Sequence, residues 1–269
     1  METFTPESDF DKKPIKKNGL FGKEKKTYDN SALLSMGMIF LWFAIGLAVA
    51  GSVALGLPYL LNSPVFGGDV EAASTAYVGM MIGAIVVLLV SNLVITFSQG
   101  RKNGIVTGIF YILYAIAIGV LLSSVLMTVF TTSAALGDDT MAISVISISF
   151  FVSAGCFLVM GIIGMLFKNM NAAIPVVITG FLGVIIISIV NFFLQSEMIF
   201  WIVEFVLFAL ILLATSIDIH NIVQISSRSE CKSSSALSIY CAFILFTDFI
   251  NIFIRVLYFV MILFGKSKN

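Results

Sequence analysis

The sequence has few of the residues from which soluble catalytic centres and metal sites are commonly built. It contains one histidine, His220, and only 3 cysteines in 269 residues. A hydrolytic triad that depends on histidine is hard to build from this set, and the cysteines are too scattered for a zinc-type site or a disulfide framework. We therefore expect a protein that is not an enzyme and that needs no cofactor.

The sequence also lacks an excess of charge. Its 15 lysine and arginine residues balance 15 acidic residues, so no global positive field favours a nucleic-acid partner. Hydrophobic residues make up 59% of the chain, and the mean hydropathy is +1.07. A soluble domain of this size cannot bury so much apolar surface, whereas a lipid bilayer accommodates it. The composition thus predicts an integral membrane protein.

Seven apolar segments are each long enough to span the hydrocarbon core of a bilayer. They cover residues 32–61, 74–97, 105–131, 141–166, 174–194, 198–222 and 235–264. Because backbone groups in lipid must form their hydrogen bonds internally, uninterrupted runs of this length predict helices and exclude barrel strands. We predict an all-α membrane domain of seven transmembrane helices over 32–264, between a polar tail, 1–31, and a short C-terminal tail, 265–269.

Lysine and arginine are distributed unevenly between the two sides of this arrangement. The tail 1–31 holds seven lysines and does not resemble a cleavable signal peptide. If the tail is inside, every inner loop also carries lysine or arginine, whereas the outer loops carry acidic residues only. The positive-inside rule therefore predicts a cytoplasmic N-terminus, with the C-terminus outside if all seven segments span and inside if the last is re-entrant. The lack of targeting elements and long loops favours a prokaryotic plasma membrane.

Small residues recur at a spacing that allows helices to approach closely. The pairs are Gly79 with Gly83, Gly104 with Gly108, and Ala115 with Gly119.

Ionisable residues occur only in the last two apolar segments. Glu204 and Asp218 lie in the sixth segment, and Asp248 and Arg255 in the seventh. With Asn251, the last two form a polar stripe on one helix face, and such a stripe should face protein or water rather than lipid. Charges within a membrane span are costly, so they are usually paired, functional, or both.

The two segments run antiparallel, so they can bring Asp218 toward Asp248 and Glu204 toward Arg255. The two spacings differ by about 10 Å, so both pairs cannot sit level in straight helices. Glu204 and Arg255 are best explained as a structural ion pair. The two aspartates are not, because two like charges brought together do not stabilise a fold.

Two carboxylates in a low-dielectric site share a proton and titrate as one coupled pair, which makes them a candidate pH sensor. When ionised they repel each other and can attract a cation. Calcium prefers six to eight oxygen ligands, so Asp218 and Asp248 alone would bind it weakly, as passage requires. His220, two residues after Asp218, either tunes this pair by its own titration or is an ordinary interfacial side chain.

Each aspartate lies in a stretch that resembles one of the two aspartate motifs of the Bax inhibitor-1 family. The stretches are "ATSIDIHNI" at 214–222 and "LFTDFINIFIRVL" at 245–257. The similarity covers roughly residues 75–262. It implies six helices surrounding a central C-terminal seventh, and a pH-dependent calcium leak governed by a di-aspartyl pair that maps onto Asp218 and Asp248.

The chain departs from the family pattern at three places. Ile219 and His220 follow the first aspartate where the family usually has Thr-Gln. The second segment carries no charge, although some bacterial members have an arginine and a glutamate there. Arg255 is three residues nearer Asp248 than the usual arginine of the last helix. The side chain that holds the aspartate pair in its closed arrangement is therefore expected to differ from the one in those members.

Three functions fit these observations. The first is a pH-sensitive cation leak channel or transporter, with calcium as the expected ion. The second is a membrane-embedded regulator that binds a membrane protease or another membrane protein through its tail and loops. The third is a proton-coupled transporter for a different solute.

Overall fold

The computed structural model describes residues 30–61, 70–97, 104–137, 140–227 and 235–266. Seven α-helices follow one another in these ranges: α1 (Asn30–Leu61), α2 (Val70–Phe97), α3 (Gly104–Ala135), α4 (Met141–Leu166), α5 (Ile174–Leu194), α6 (Glu197–Ser227) and α7 (Ser235–Lys266). A short 3-10 helix, Met170–Ala173, precedes α5. All seven are long and apolar enough to cross a membrane, and the described residues form no strand, so the predicted fold class is confirmed.

Two helices end four or five residues later than their apolar segments predict. α3 continues past residue 131 to Ala135, and α6 continues past residue 222 to Ser227. The extra turns are rich in serine and threonine, whose hydroxyls can donate to the carbonyl one turn earlier, as Thr132 does to Thr128. The hydropathy of the sequence therefore falls before each of these two helices ends, which is why their last turns were not predicted. Most of the tail 1–31 and the loop containing Cys231 lie outside the described residues.

α7 is the most buried of the helices and forms the centre of the bundle. α1, α3, α4 and α6 pack directly against it, while α2 packs on α3 and α5 packs on α6. The six helices therefore surround α7 in the expected way, four in direct contact with it and two further out. A helix in this position must present apolar groups on most of its sides, and the long hydrophobic run of α7 supplies them.

Aromatic side chains hold α7 against its neighbours. The Phe249 ring lies 5.9 Å from that of Phe43 on α1 and 5.8 Å from that of Phe157 on α4. One turn earlier, Phe246 is fully buried and makes an edge contact with Tyr111 on α3, with ring centroids 6.0 Å apart. Edge-to-face contacts of this kind add to the packing free energy and fix the rotation of the helix.

The prediction that small residues allow helices to approach closely is confirmed for α3 and wrong for α2. A Cβ atom at Gly119 would lie 2.7 Å from the Ala50 carbonyl oxygen, so this glycine permits the close contact between α1 and α3. A Cβ at Gly79 or Gly83 would meet nothing, because these positions are exposed. The spacing alone does not reveal which face of a helix meets a neighbour.

One side of α7 is left uncovered. Within the described residues, α3 and α6 are not among the helix pairs that pack extensively against each other. The side of α7 between them carries Asn251, which is exposed, and Asp248 and Arg255, which are partly exposed. The polar stripe expected from the sequence therefore occupies the side of the central helix that its neighbours do not cover.

Candidate functional site

Asp218 on α6 and Asp248 on α7 lie close enough for their charges to interact. Both residues are partly exposed, but the Asp248 Oδ2 atom is buried and has no hydrogen-bond partner. No hydrogen bond joins the two carboxylates within the described residues. The packing of α6 against α7 thus brings the two acids within range of each other's charge, and neither is paired with a basic group among the described residues.

This arrangement is costly when both aspartates are ionised. A buried carboxylate oxygen without a donor loses its hydration without compensation, and the second negative charge adds repulsion. A proton on either carboxyl group removes one charge and supplies a donor, which relieves both penalties. The pair can therefore hold and release a proton, and its oxygens can contact a cation when the proton leaves.

A tight metal site is not part of this arrangement. The described residues contain no group of three or more histidine, cysteine, aspartate or glutamate side chains placed to hold one ion. Two carboxylates provide fewer oxygens than calcium prefers, so residence of a cation here would be brief.

Glu204 and Arg255 form the ion pair that the sequence predicts. Arg255 Nη1 contacts Glu204 Oε2, and the side chains remain 28% and 13% exposed, respectively. In straight antiparallel helices, direct contact at Glu204 and Arg255 would place Asp218 and Asp248 up to about 10 Å apart along the helix axes, and helix tilt or the reach of the arginine side chain would reduce this offset. An offset of this kind is expected to let the two charges interact without a hydrogen bond between the carboxylates.

The ion pair lies in the wall of a cavity between α3, α6 and α7 whose volume is about 670 Å³. Its other polar lining groups are Asn251, Tyr258 and the hydroxyls of Ser124 and Thr128, and the rest of the lining is apolar. Both hydroxyls donate to backbone carbonyls of α3, which leaves their oxygens able to accept.

His220 faces α4. Its ring is buried, with Nδ1 3.0 Å from the Gly164 carbonyl oxygen and Nε2 2.8 Å from the Gln224 amide nitrogen. A carbonyl can only accept, so Nδ1–H donates to Gly164, while Nε2 lies against the Gln224 side-chain amide. The direct contacts of His220 are therefore with α4 and its own helix rather than with Asp218, which fits an anchoring role.

Several residues of the site were not found from the sequence. Tyr258 lies one turn beyond Arg255, so the helical spacing of the polar stripe could have identified it. Ser124 and Thr128 belong to a different helix, and only tertiary packing brings them to the cavity. Gly164 admits the close approach of the Ser216 carbonyl to α4, which no local pattern indicates.

Comparison with known proteins agrees with these features. Residues 34–268 match the family described as "Inhibitor of apoptosis-promoting Bax1" (Bax1-I). The "Inner membrane protein YbhL" of Escherichia coli (strain K12) is 26% identical over 226 residues, which is 82% of this chain and 88% of the relative. The protein of the same name from Escherichia coli O6:H1 matches with the same values. No solved structure matches the chain. With its seven membrane-crossing helices and its aspartates on α6 and α7, the chain belongs to the Bax inhibitor-1 family and is a multi-pass membrane protein.

Proposed function

We propose that the protein is a pH-sensitive cation leak channel or transporter in a prokaryotic plasma membrane, with calcium as the ion and Asp218 and Asp248 as the sensor. The inner-membrane relatives in Escherichia coli support this location. The observation that carries the proposal is the buried Oδ2 atom of Asp248, which has no hydrogen-bond partner among the described residues although Asp218 is near enough for the two charges to interact. If the two aspartates only held α6 and α7 together, each carboxylate would be paired with a hydrogen-bond donor. A proton-dependent switch instead requires carboxylates without such partners.

The direction of the switch follows from the charges. While the pair holds a proton, α6 and α7 can remain in contact, so the closed state is stabilised in acid. As pH rises and the proton leaves, the two carboxylates repel each other, and this stabilisation is lost. The ionised oxygens then favour a cation between the helices. Flux should therefore be low in acid and higher near neutral pH.

The test is calcium flux into liposomes that contain only the purified protein, measured across pH. A calcium-sensitive dye inside the vesicles should report entry that rises with pH, and empty liposomes give the baseline. Vesicles that stay at this baseline at every pH would overturn the leak function and favour the regulator, which needs a protein partner. A flux of another solute driven by a proton gradient would instead support the proton-coupled transporter.

A further inference from the structure

The cavity between α3, α6 and α7 differs from two other cavities of the described residues in the chemistry of its walls. Those cavities, of about 320 Å³ and 570 Å³, are lined mainly by apolar side chains. The cavity of about 670 Å³ presents a carboxylate, a guanidinium, an amide and three hydroxyl groups. Ionisable groups within a membrane span face protein or a water-filled cavity, because lipid does not solvate them, and this cavity is large enough to hold water. At about 30 Å³ each, roughly 20 water molecules fill such a volume.

The cavity extends from near one end of α6 to the middle of the bundle. Its lining on α6 runs from Phe200, in the first turn, to Ile211, which is about 16 Å further along the axis. On the antiparallel α7 it runs from Met261 to Asn251, about 15 Å. The two measures agree, so the cavity is an elongated recess that reaches from the middle of the bundle to the side where α6 begins. The lysine distribution makes this the outer side.

Asn251 forms the inner end of this recess and lies one helical turn from Asp248, which is not itself part of the lining. It is exposed, and its side chain has no hydrogen-bond partner among the described residues. Asp248 is three residues earlier on α7, about 4.5 Å along the axis. A molecule that reaches Asn251 from outside is therefore within one helical turn of Asp248.

We infer that this cavity is the outer vestibule through which a hydrated cation reaches Asp248, with Asn251 at its floor and the charge-balanced Glu204–Arg255 ion pair in its wall. The inference rests on the proposed function and gives that function an entry route. Because the two charges cancel, the vestibule neither traps cations nor repels them strongly. Removal of one partner should leave a net charge of known sign in a low-dielectric recess.

Water access to the floor can be measured without any ion flux. In a chain whose native cysteines are replaced by alanine, Asn251→Cys should react with a membrane-impermeant thiosulfonate reagent added from the outer side. The matched control is Ala209→Cys on α6. Ala209 is exposed but is not part of the cavity lining, and it lies two residues from Ile211. A thiol in lipid at this depth should not react with a charged reagent.

The charge balance of the ion pair is tested with cationic and anionic reagents of similar size. In the Asn251→Cys chain, Arg255→Gln should raise the ratio of cationic to anionic reaction rates about tenfold, and Glu204→Gln should lower it about tenfold. The double change Glu204→Gln with Arg255→Gln restores neutrality and should return the ratio to its starting value. The double variant also guards against destabilisation, because it leaves no charge unpaired.

The vestibule is overturned if Asn251→Cys is as unreactive as Ala209→Cys, or if the rate ratio does not respond to either charge change. These outcomes are independent of the leak itself. A protein that leaks calcium but does not label contradicts the vestibule alone. A protein that labels as expected but passes no cation contradicts the leak function alone.

Discussion

Arg255 occupies a position in α7 where an unpaired guanidinium would be costly in lipid. Its contact with Glu204 and its place in a polar cavity remove most of this cost. The cavity also lets the long side chain reach toward water, as arginines within membrane spans often do. The same reasoning does not apply to Asp248, whose Oδ2 atom has no donor.

The ion pair gives a prediction for stability. Arg255→Ala leaves the Glu204 carboxylate without its partner and should lower the free energy of unfolding by about 2 kcal/mol. The double change Glu204→Gln with Arg255→Met should cost less than Arg255→Ala alone, because no charge is left unpaired. A double-mutant cycle on thermal unfolding in detergent measures the coupling, and additive losses would show that the pair contributes no coupling free energy.

Substitution of His220 distinguishes a role in anchoring α6 to α4 from a role in tuning the pH response of the aspartate pair. His220→Ala removes the donor to the Gly164 carbonyl and should cost about 1–2 kcal/mol of stability. His220→Asn can place an amide N–H near the Nδ1 position and should recover part of that loss. Neither change should move the pH midpoint of calcium flux by more than a few tenths of a unit, because the ring contacts Gly164 and Gln224 rather than Asp218. A shift of a full unit in the stable Asn variant would restore the tuning hypothesis.

Single residues could be predicted from the sequence where a charged side chain interrupts an apolar segment. This contrast identified Glu204, Asp218, Asp248 and Arg255. Serine, glycine and glutamine are ordinary in any helix, and their roles depend on which helix lies opposite. For this reason Ser124 at the cavity and Gln224 at the histidine were not found.

Each helix follows from a long apolar run, since lipid leaves the backbone no other partner. The close contacts between helices depend on glycine at particular positions, because the absence of a side chain there lets the neighbouring helix approach. Gly46 allows the Tyr111 hydroxyl to reach α1, where it donates to the Trp42 carbonyl at 3.0 Å. This contact joins α1 and α3 beside the fully buried Phe246, and the sequence did not indicate it.

The contact between α1 and α3 provides the next prediction. Gly119→Ala places a methyl group against the Ala50 carbonyl and the Val53 side chain, so it should lower the free energy of unfolding by about 2 kcal/mol. Gly83→Ala, in the interior of α2, meets nothing and should leave stability unchanged or raise it slightly. Thermal unfolding of both variants tests this, and equal destabilisation would contradict the assigned packing.

The turn between α5 and α6 shows how a short connection sets the direction of α6. Gln195 adopts φ 48°, in the left-handed region, and its N–H donates to the Asn191 carbonyl at 2.7 Å. The Asn191 side chain accepts from Ser196 N–H. Such a turn reverses the chain within a few residues, which makes α6 antiparallel to α5 and delivers Asp218 toward the inner half of the bundle.

The whole molecule is a bundle in which the C-terminal helix is central and one of its sides remains open. α7 is one continuous helix of 32 residues, about 48 Å at 1.5 Å per residue, so it is long enough to cross the membrane fully. The resemblance implied the central position, and hydropathy alone did not, since it makes no distinction between a helix in lipid and one in protein. The open side could not be predicted, because it depends on how little α3 and α6 pack against each other within the described residues.

Seven crossings give a topology prediction. Residues 1–30, 98–104 and 226–233 should lie on the cytoplasmic side, and the C-terminus on the opposite side. Cys231 should therefore react with an impermeant thiol reagent only in inside-out vesicles, and a reporter fused after Asn269 should be active only outside. Labelling of Cys231 from outside, or two termini on one side, would require a different helix count.

Calcium flux through Asp248→Asn protein, measured against pH in liposomes, tests the central claim most directly. Asparagine keeps the size of the side chain but cannot ionise, so repulsion between the two carboxylates is lost at every pH. We expect the pH dependence of flux to flatten, with most of the rise between acid and neutral pH removed, and Asp218→Asn to have the same effect because the sensor is the pair. A folded Asp248→Asn protein that keeps the wild-type pH profile would contradict the account and leave Asp248 as a structural residue.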